Sequence, residues 1–192
     1  MKKFAILVFI LFASLMCTAC INNLAIQELN QMGKEYLDKG DYENAIGRFQ
    51  SSVDLDENVF ESRYNLGVAY IAKEDYKNAV GQLEAAVKIN PESADAYYSY
   101  AVALESYAFS YFEPKEPQED FGDAIIVEDE IDPSVADEYL KNADKSVKMY
   151  EKYLAMSPDA KDKETVLEHI KEVQNRIIEY KNKYVMQDNM SK

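Results

Sequence analysis

Residues 40–53 read GDYENAIGRFQSSV, and residues 74–87 read EDYKNAVGQLEAAV. At an offset of 34 residues the two stretches carry the same residue at six positions and conservative replacements at several others. The same offset pairs Gly33 with Gly67. A period of this length indicates a repeat architecture, in which each unit buries its apolar face by stacking on its neighbour.

The placement of glycine, tyrosine, alanine and proline within this period resembles the tetratricopeptide repeat. The first repeat spans about 26–59 and the second about 60–93. The residues that match the motif are Met32, Gly33, Tyr36, Ala45 and Phe49 in the first repeat and Leu66, Gly67, Tyr70, Ala79, Leu83 and Pro91 in the second. The tryptophan of the motif is absent, and Leu29 and Arg63 stand in its place. The resemblance implies an all-α solenoid of about three helical hairpins, followed by a C-terminal capping helix.

The two glycines of the motif fall inside predicted helices, where glycine costs about 1 kcal/mol relative to alanine. We therefore expect a close approach of the paired helix at Gly33 and Gly67, with Ala45 or Ala79 on the facing side. Polar turns at 38–41 and 73–75 are expected to separate the helices of each hairpin.

A third repeat at 94–158 is interrupted by an acidic insertion at about 105–137. The insertion contains eleven acidic residues and one lysine, a net charge of −10. We expect one long helix from Ala94 to Phe112, an acidic loop at 113–131, and a second long helix. The Asp132-Pro133 pair is typical of a helix start, and this helix should end near Met156. Both helices are expected to be longer than those of the first two repeats.

The chain is predicted to close with a capping helix at 159–184 and a flexible tail at 185–192. The apolar residues of this helix recur at helical spacing and are expected to form one stripe. They are Val166, Leu167, Ile170, Val173, Ile177 and Ile178. His169 lies beside the stripe, and we interpret it as a surface or helix-edge histidine without a catalytic partner.

The N-terminus has the pattern of an export signal, with two lysines followed by an uncharged run at 4–16. As a helix this run reaches about 20 Å, short of a bilayer core of about 30 Å. Small residues precede Cys20, which resembles the lipobox of bacterial lipoproteins. The resemblance implies removal of signal peptide 1–19, lipid on Cys20, and a tether at 20–25 to a bacterial envelope membrane on its extracytoplasmic side. Modification of Cys17, simple secretion and an uncleaved anchor are the alternatives.

The composition argues against several classes of function. The 192 residues contain 21 Lys and Arg against 35 Asp and Glu, a net charge of −14, which disfavours nucleic-acid binding. A single histidine, and two cysteines that both precede residue 21, leave little for a metal site or a nucleophile–histidine pair. We therefore expect no cofactor, no metal, no enzyme activity and no small-molecule substrate.

Tetratricopeptide repeats usually bind peptides or partner helices in a concave groove lined by the first helix of each repeat. Carried over by register, the groove positions are Gln27, Asn30, Lys34, Leu37, Glu61, Tyr64, Asn65, Val68, Ile71, Asp95, Tyr98, Ser99 and Val102. A mixture of tyrosine and aliphatic residues is typical of a groove for an amphipathic or extended peptide. The alternative is that some of these residues only pack against neighbouring helices and bind no partner.

One branch of the family holds a C-terminal carboxylate with a Lys/Asn/Arg clamp. Asn30, Lys34 and Asn65 match part of that clamp. Asp95 and Ser99, however, stand where the third repeat of that branch has basic residues. The clamp is therefore incomplete, and carboxylate capture is the weaker interpretation of the groove.

The acidic insertion has three interpretations, which are a solvated loop, a docking site for a basic partner, and a Ca²⁺ site. The last two would use Glu128, Asp129, Glu130 and Asp132, although the loop lacks the glycine pattern of an ordered Ca²⁺ loop. The aromatic run at 97–112 is expected to place residues 97, 100, 104, 107 and 111 in the core. Tyr98, and Phe109 or Phe112, are expected to lie off that face as a contact surface.

The sequence thus predicts a non-enzymatic protein–protein interaction module, a scaffold or assembly factor tethered by lipid to a bacterial envelope membrane. Its partner would be another envelope protein or a peptide bound in the groove. The alternative is a secreted or surface protein that binds a ligand or Ca²⁺ through the acidic insertion.

Overall fold

The computed structural model describes residues 22–112 and 132–185, and within these ranges helices alternate with short turns and no strand occurs. The chain divides into two compact units, Met1–Pro91 and Glu92–Lys192. The signal peptide, both cysteines, the loop at 113–131 and residues 186–192 of the tail lie outside the described residues.

In the first unit, residues 22–91 form two helical hairpins. Their helices are α1 (22–38), α2 (Tyr42–Leu55), α3 (Phe60–Ala72) and α4 (Tyr76–Ile89). Residues 22–25 of the predicted tether already belong to α1.

Among its described residues, the second unit contains three helices and a π-helical turn. They are α5 (Ala94–Phe109), α6 (Pro133–Met156), α7 (Lys163–Tyr180) and the turn Lys181–Val185. Helix α6 packs along α5, and α7 packs on α6. The all-α fold class is therefore confirmed.

The repeated Asp-Tyr-x-Asn-Ala stretch starts the second helix of each hairpin in the same way. The carboxylates of Asp41 and Asp75 accept hydrogen bonds from the backbone N–H groups of Asn44 and Asn78, each at 3.3 Å. The asparagine side chains donate a second bond to the same carboxylates, each at 2.8 Å. These bonds satisfy amides that the first turn of a helix leaves free, so the motif fixes where α2 and α4 begin.

The polar turns before these caps reverse the chain through left-handed backbone conformations. Gly40 adopts φ +73° in the first hairpin, and Glu74 adopts φ +64° at the matching position of the second. Glycine takes this conformation freely, whereas a residue with a Cβ does so at a steric cost.

The close approach expected at Gly33 and Gly67 is present, but the facing residue differs from the prediction. A Cβ added to Gly33 would lie 2.7 Å from Phe49 Cδ1, and one added to Gly67 would lie 2.5 Å from Leu83 Cγ. Ala45 and Ala79 are fully buried without being the nearest neighbours. The reason is that large side chains one turn further along α2 and α4 fill the space above each glycine.

Helix α5 is shorter than predicted, because it ends at Phe109 rather than Phe112. It is not longer than α1, whereas α6 is longer than both α2 and α4, as expected. The predicted start of α6 at the Asp132 cap and its predicted end at Met156 are both confirmed.

Two further corrections concern apolar side chains of the second unit. Phe109 and Phe112, predicted to lie off the core face, are buried at 2% and 9% exposure because both pack against Tyr180. Leu167 and Ile178, predicted to join the buried stripe of α7, are exposed. Each of them lies one position beyond a buried residue, and a step of one residue turns a side chain by about 100° around a helix.

Of the helices that lie within the described ranges, none combines the length and the apolar composition needed to span a membrane.

Candidate functional site

Helices α1 and α3 carry the predicted groove residues of the first unit. Positions 27, 30, 34 and 37 recur at helical spacing on α1, as do 61, 64, 68 and 71 on α3, so each set shares one helix face. Two contacts join these faces. The Asn30 amide donates to Ser62 Oγ at 2.9 Å, and the Lys34 ammonium forms an ion pair with Glu61. The structure therefore brings the two sets side by side, and we call this surface the α1–α3 face.

Asn30 is a buried structural residue of this face. Its Nδ2 atom donates to Ser52 Oγ at 3.2 Å and to Ser62 Oγ at 2.9 Å, and the two hydroxyls lie 2.7 Å apart. All three side chains are nearly inaccessible, with Asn30 exposed by only 3%. The triad ties α1, α2 and α3 together, since one residue comes from each helix.

Two amide atoms at the α1–α3 face have no hydrogen-bond partner among the described residues. They are Oδ1 of Asn30 and Nδ2 of Asn65, both buried. A buried polar atom left without a partner costs about 1–3 kcal/mol. Asn65 follows Ser62 by one turn of α3, so both atoms belong to the same small region of the face.

The other predicted groove residues of the first unit differ in accessibility. Gln27, Lys34 and Glu61 are exposed, and the side chains of the Lys34–Glu61 pair remain about half accessible. A pair in that setting contributes little to stability. The half-buried residues are Leu37, Tyr64, Val68 and Ile71. The face thus offers apolar surface beside polar groups, and its lysine is already engaged by a carboxylate.

In the second unit, α5 presents the remaining predicted groove residues. Asp95 and Tyr98 are exposed, whereas Ser99 and Val102 are half-buried. Tyr98 is 38% exposed, in agreement with the expectation that it lies off the core face. Its ring packs edge-on against Tyr150 at 5.7 Å and Tyr153 at 5.2 Å. These contacts hold the exposed ring in place.

One turn beyond Val102, Glu105 forms a polar cluster that the sequence analysis missed. One oxygen of its carboxylate, Oε2, accepts from the Tyr150 hydroxyl at 2.9 Å and lies 2.9 Å from His169 Nε2. The other ring nitrogen of His169 lies 3.7 Å from a Glu172 oxygen. The interpretation of His169 as a surface or helix-edge histidine did not include these two carboxylates. Glu105 and His169 are 64 residues apart, and no local sequence pattern joins them.

The tyrosines around this cluster are held in their neutral, hydrogen-donating form. Burial, and then the nearby Glu105 charge, raises the pKa of Tyr150 well above its usual range. A hydrogen bond to Asp162, and then burial, raises the pKa of Tyr153. Because both ring nitrogens of His169 face carboxylates, the described residues give it no hydroxyl nucleophile to activate.

The predicted acidic and lipid-bearing residues are only partly described. The carboxylate of Asp132 caps α6 by accepting from the Ser134 backbone N–H at 2.8 Å and from the Ser134 hydroxyl at 2.7 Å. These bonds lower the pKa of Asp132. Glu128, Asp129, Glu130 and Cys20 lie outside the described residues. Within the described ranges, no group of three acidic, histidine or cysteine side chains is arranged to hold a metal ion.

The repeats match a known family. The family model for the tetratricopeptide repeat matches residues 30–94 and, overlapping them, 64–106. No curated protein matches the chain. The predicted resemblance to the tetratricopeptide repeat is thus confirmed over residues 30–106, which hold most of the first predicted repeat, the second, and the start of the third.

Solved structures of tetratricopeptide repeat domains share this fold. The first such domain of Spaghetti (RPAP3), bound to the HSP90 peptide SRMEEVD, superposes with a TM-score of 0.57 at 16% identity, over 81% of this chain and 94% of that one. The second domain of human RPAP3, in complex with the HSP70 peptide SGPTIEEVD, superposes with a TM-score of 0.57 at 16% identity, over 78% of this chain and 98% of that one. MamA from Desulfovibrio magneticus superposes with a TM-score of 0.51 at 20% identity, over 82% of this chain and 76% of that one. Similarity at these identities establishes the fold alone.

Proposed function

We propose that this chain is a protein–protein interaction module that binds an extended or helical segment of a partner on the α1–α3 face. The observation that carries the proposal is the buried Nδ2 atom of Asn65, which has no hydrogen-bond partner among the described residues and lies on α3 next to the half-buried Tyr64. If the Asn65 side chain turned outward on binding, an oxygen acceptor of the bound segment would satisfy this donor, and the half-buried apolar side chains beside it would be covered at the same time.

The fold supports the same class of function. Related tetratricopeptide repeat domains have been solved with HSP90 and HSP70 peptides bound, so the architecture accommodates peptide ligands in those proteins. Function still depends on the residues of the site, and here the face is a mixture of aromatic, aliphatic and amide side chains. Such a face suits main-chain and apolar recognition.

A free C-terminal carboxylate fits this face less well. Lys34, the cation that would receive it, already pairs with Glu61 across the two helices. A carboxylate would therefore have to displace Glu61, and the incoming negative charge would stay beside it.

We further propose that lipid on Cys20 holds the module at a bacterial envelope membrane, where it acts as a scaffold or assembly factor for another envelope protein. Two features of the sequence support this, the short uncharged run at 4–16 and the small residues that precede Cys20.

A photocrosslinking experiment tests the binding face. A benzophenone amino acid is placed in the full-length chain at Val68, on the α1–α3 face, or at the exposed Lys77 on α4 as the matched control. After irradiation in the source cells, Val68 should yield a discrete crosslinked partner, and Asn65→Ala or Tyr64→Ala should weaken that product. Equal products from both positions, or none from Val68, would show that the α1–α3 face is not the binding surface.

A further inference from the structure

A pocket opens between α5 and α7 in the second unit. It has a volume of about 290 Å³ and is lined by Tyr98 from α5 and by Thr165, Val166, Glu168, His169 and Glu172 from α7. Small-molecule sites usually begin at about 300 Å³, so this pocket is of a size to receive one long side chain or a very small ligand.

The wall of this pocket is negatively charged. Glu168 and Glu172 are both exposed and stand four residues apart on α7, a spacing at which like charges repel each other. Glu105 adds a third carboxylate behind His169, where its side chain is only 13% exposed. Among the described residues that line the pocket there is no lysine or arginine to balance these charges.

The pocket also has an aromatic side and an apolar floor. The Tyr98 ring is held edge-on by Tyr150 and Tyr153, and the residue as a whole is 38% exposed. Aromatic rings attract cations that lie within about 6 Å of the ring centre. Val166, exposed by only 4%, supplies apolar contact deeper in the pocket. The aliphatic stem of a basic side chain can lie on such a surface while its charged end meets the carboxylates.

We propose that this pocket receives the cationic side chain of an arginine or lysine from a bound protein partner. The inference rests on the proposed function, and it adds that the partner carries a positively charged side chain. Arginine suits the site well because its planar guanidinium can stack on a tyrosine ring and pair with a carboxylate at the same time. A cation between Glu168 and Glu172 would also relieve their mutual repulsion.

Three capped amino acids test the proposal by titration into the full-length chain, isotope-labelled at its methyl groups and held in a neutral detergent. The probes are N-acetylarginine amide, N-acetyllysine amide and N-acetylcitrulline amide, and the last has the shape of arginine without its charge. The methyl resonances of Thr165 and Val166 should shift and saturate with arginine and lysine, and citrulline should bind about tenfold more weakly. Equal binding of citrulline and arginine, or no saturable shift, would overturn the proposal.

Two double variants test whether arginine binding depends on the carboxylates of the pocket itself. Glu168→Gln combined with Glu172→Gln should weaken arginine binding about tenfold, whereas Glu151→Gln combined with Glu179→Gln removes the same charge from exposed positions outside the pocket and should change nothing. A similar loss in both double variants would contradict the assignment. Spermidine binding about tenfold more tightly than the arginine amide would overturn it as well, because the site would then belong to a free polyamine.

Failure of this inference and failure of the proposed function give different results. If Val68 crosslinks a partner but the arginine amide does not bind, only the assignment of this pocket is wrong. If the arginine amide binds but Val68 yields no crosslink, the α1–α3 face is not the binding surface, and the assignment of the pocket as a cation site is retained.

Discussion

Gly67 lies so close to Leu83 that a Cβ atom on the glycine would stand 2.5 Å from Leu83 Cγ. Gly33 stands in the same relation to Phe49, and both pairs are related by the 34-residue offset of the repeat. The repeat therefore reproduces a contact between helices even though the larger side chain changes from phenylalanine to leucine. This contact explains why glycine is placed inside two helices where alanine would be the better helix former.

We expect Gly67→Ala to destabilise the protein by about 1–3 kcal/mol, because the added methyl group overlaps Leu83 and one of the two helices must shift. Gly81→Ala is the matched control, since nothing lies within 4 Å of the corresponding Cβ position. That variant should stabilise the protein by about 0.5–1 kcal/mol through helix propensity. Urea unfolding followed by circular dichroism measures both changes, and effects of the same sign would contradict the contact.

Glu74→Gly is expected to stabilise the second hairpin. Glu74 has φ +64° where the first hairpin uses Gly40, and a side chain in this conformation costs about 1–2 kcal/mol. Glycine removes that strain but adds entropy to the unfolded chain, so the net gain should be below about 1 kcal/mol. The converse variant, Gly40→Ala, should lower the melting temperature. Loss of stability in Glu74→Gly would mean that the strain is offset by contacts of the glutamate side chain.

The repeats could be predicted well because their signals are local and occur twice. The polar turns at 38–41 and 73–75 and the two glycines recur at one offset, so each copy supports the interpretation of the other. The helix facing each glycine was also inferred correctly. The facing side chain was not, because which of several neighbours fills a gap depends on side-chain size and helix rotation.

The second unit was predicted less well because its contacts join distant parts of the chain. Phe109 and Phe112 are buried by Tyr180, about seventy positions away in sequence, and no helical period within α5 shows this. The Glu105–His169 contact is equally remote. For the α1–α3 face, register gave the positions, but only the structure shows that Asn30 is engaged in a buried triad while Lys34 and Glu61 form an exposed pair.

Deletion of residues 113–131, closed with a short Gly/Ser link, should preserve the helical circular dichroism and most of the melting temperature. Aromatic contacts hold the structure together without this loop, since Tyr111 stacks on Tyr139 at 4.3 Å and Phe112 stacks on Tyr180 at 4.5 Å. The deleted stretch is also rich in charge and contains two prolines. Tyr111→Ala combined with Phe112→Ala, in contrast, should lower the melting temperature markedly. Cooperative loss of helix on deletion would show that the insertion packs against the described core.

Cys20→Ala should release the protein from membranes or block its processing, because the thiol that would carry the lipid is gone. Cys17→Ala serves as the control and should leave attachment unchanged. Fractionation of the source cells, with metabolic labelling by a clickable fatty acid, measures both location and modification. If Cys20→Ala remains labelled, membrane-bound and cut to the same size, the lipid belongs on Cys17 or the anchor is retained.

The acidic insertion and the α1–α3 face make different predictions about salt. Charges attract a basic partner over distances set by the Debye length, about 8 Å at physiological ionic strength, so docking through the insertion must weaken as salt rises.

A neutralised variant of the insertion combines Glu128→Gln, Asp129→Asn, Glu130→Gln and Asp132→Asn. Asparagine is chosen at position 132 because the carboxylate there caps α6 and asparagine caps helices about as well. With the partner identified by crosslinking at Val68, this variant should capture less partner at low salt and show a flatter salt dependence. Tyr64→Ala should reduce capture at every salt concentration and leave the slope unchanged. An unaltered slope in the neutralised variant would exclude the insertion from docking and leave the α1–α3 face as the surface that binds this partner.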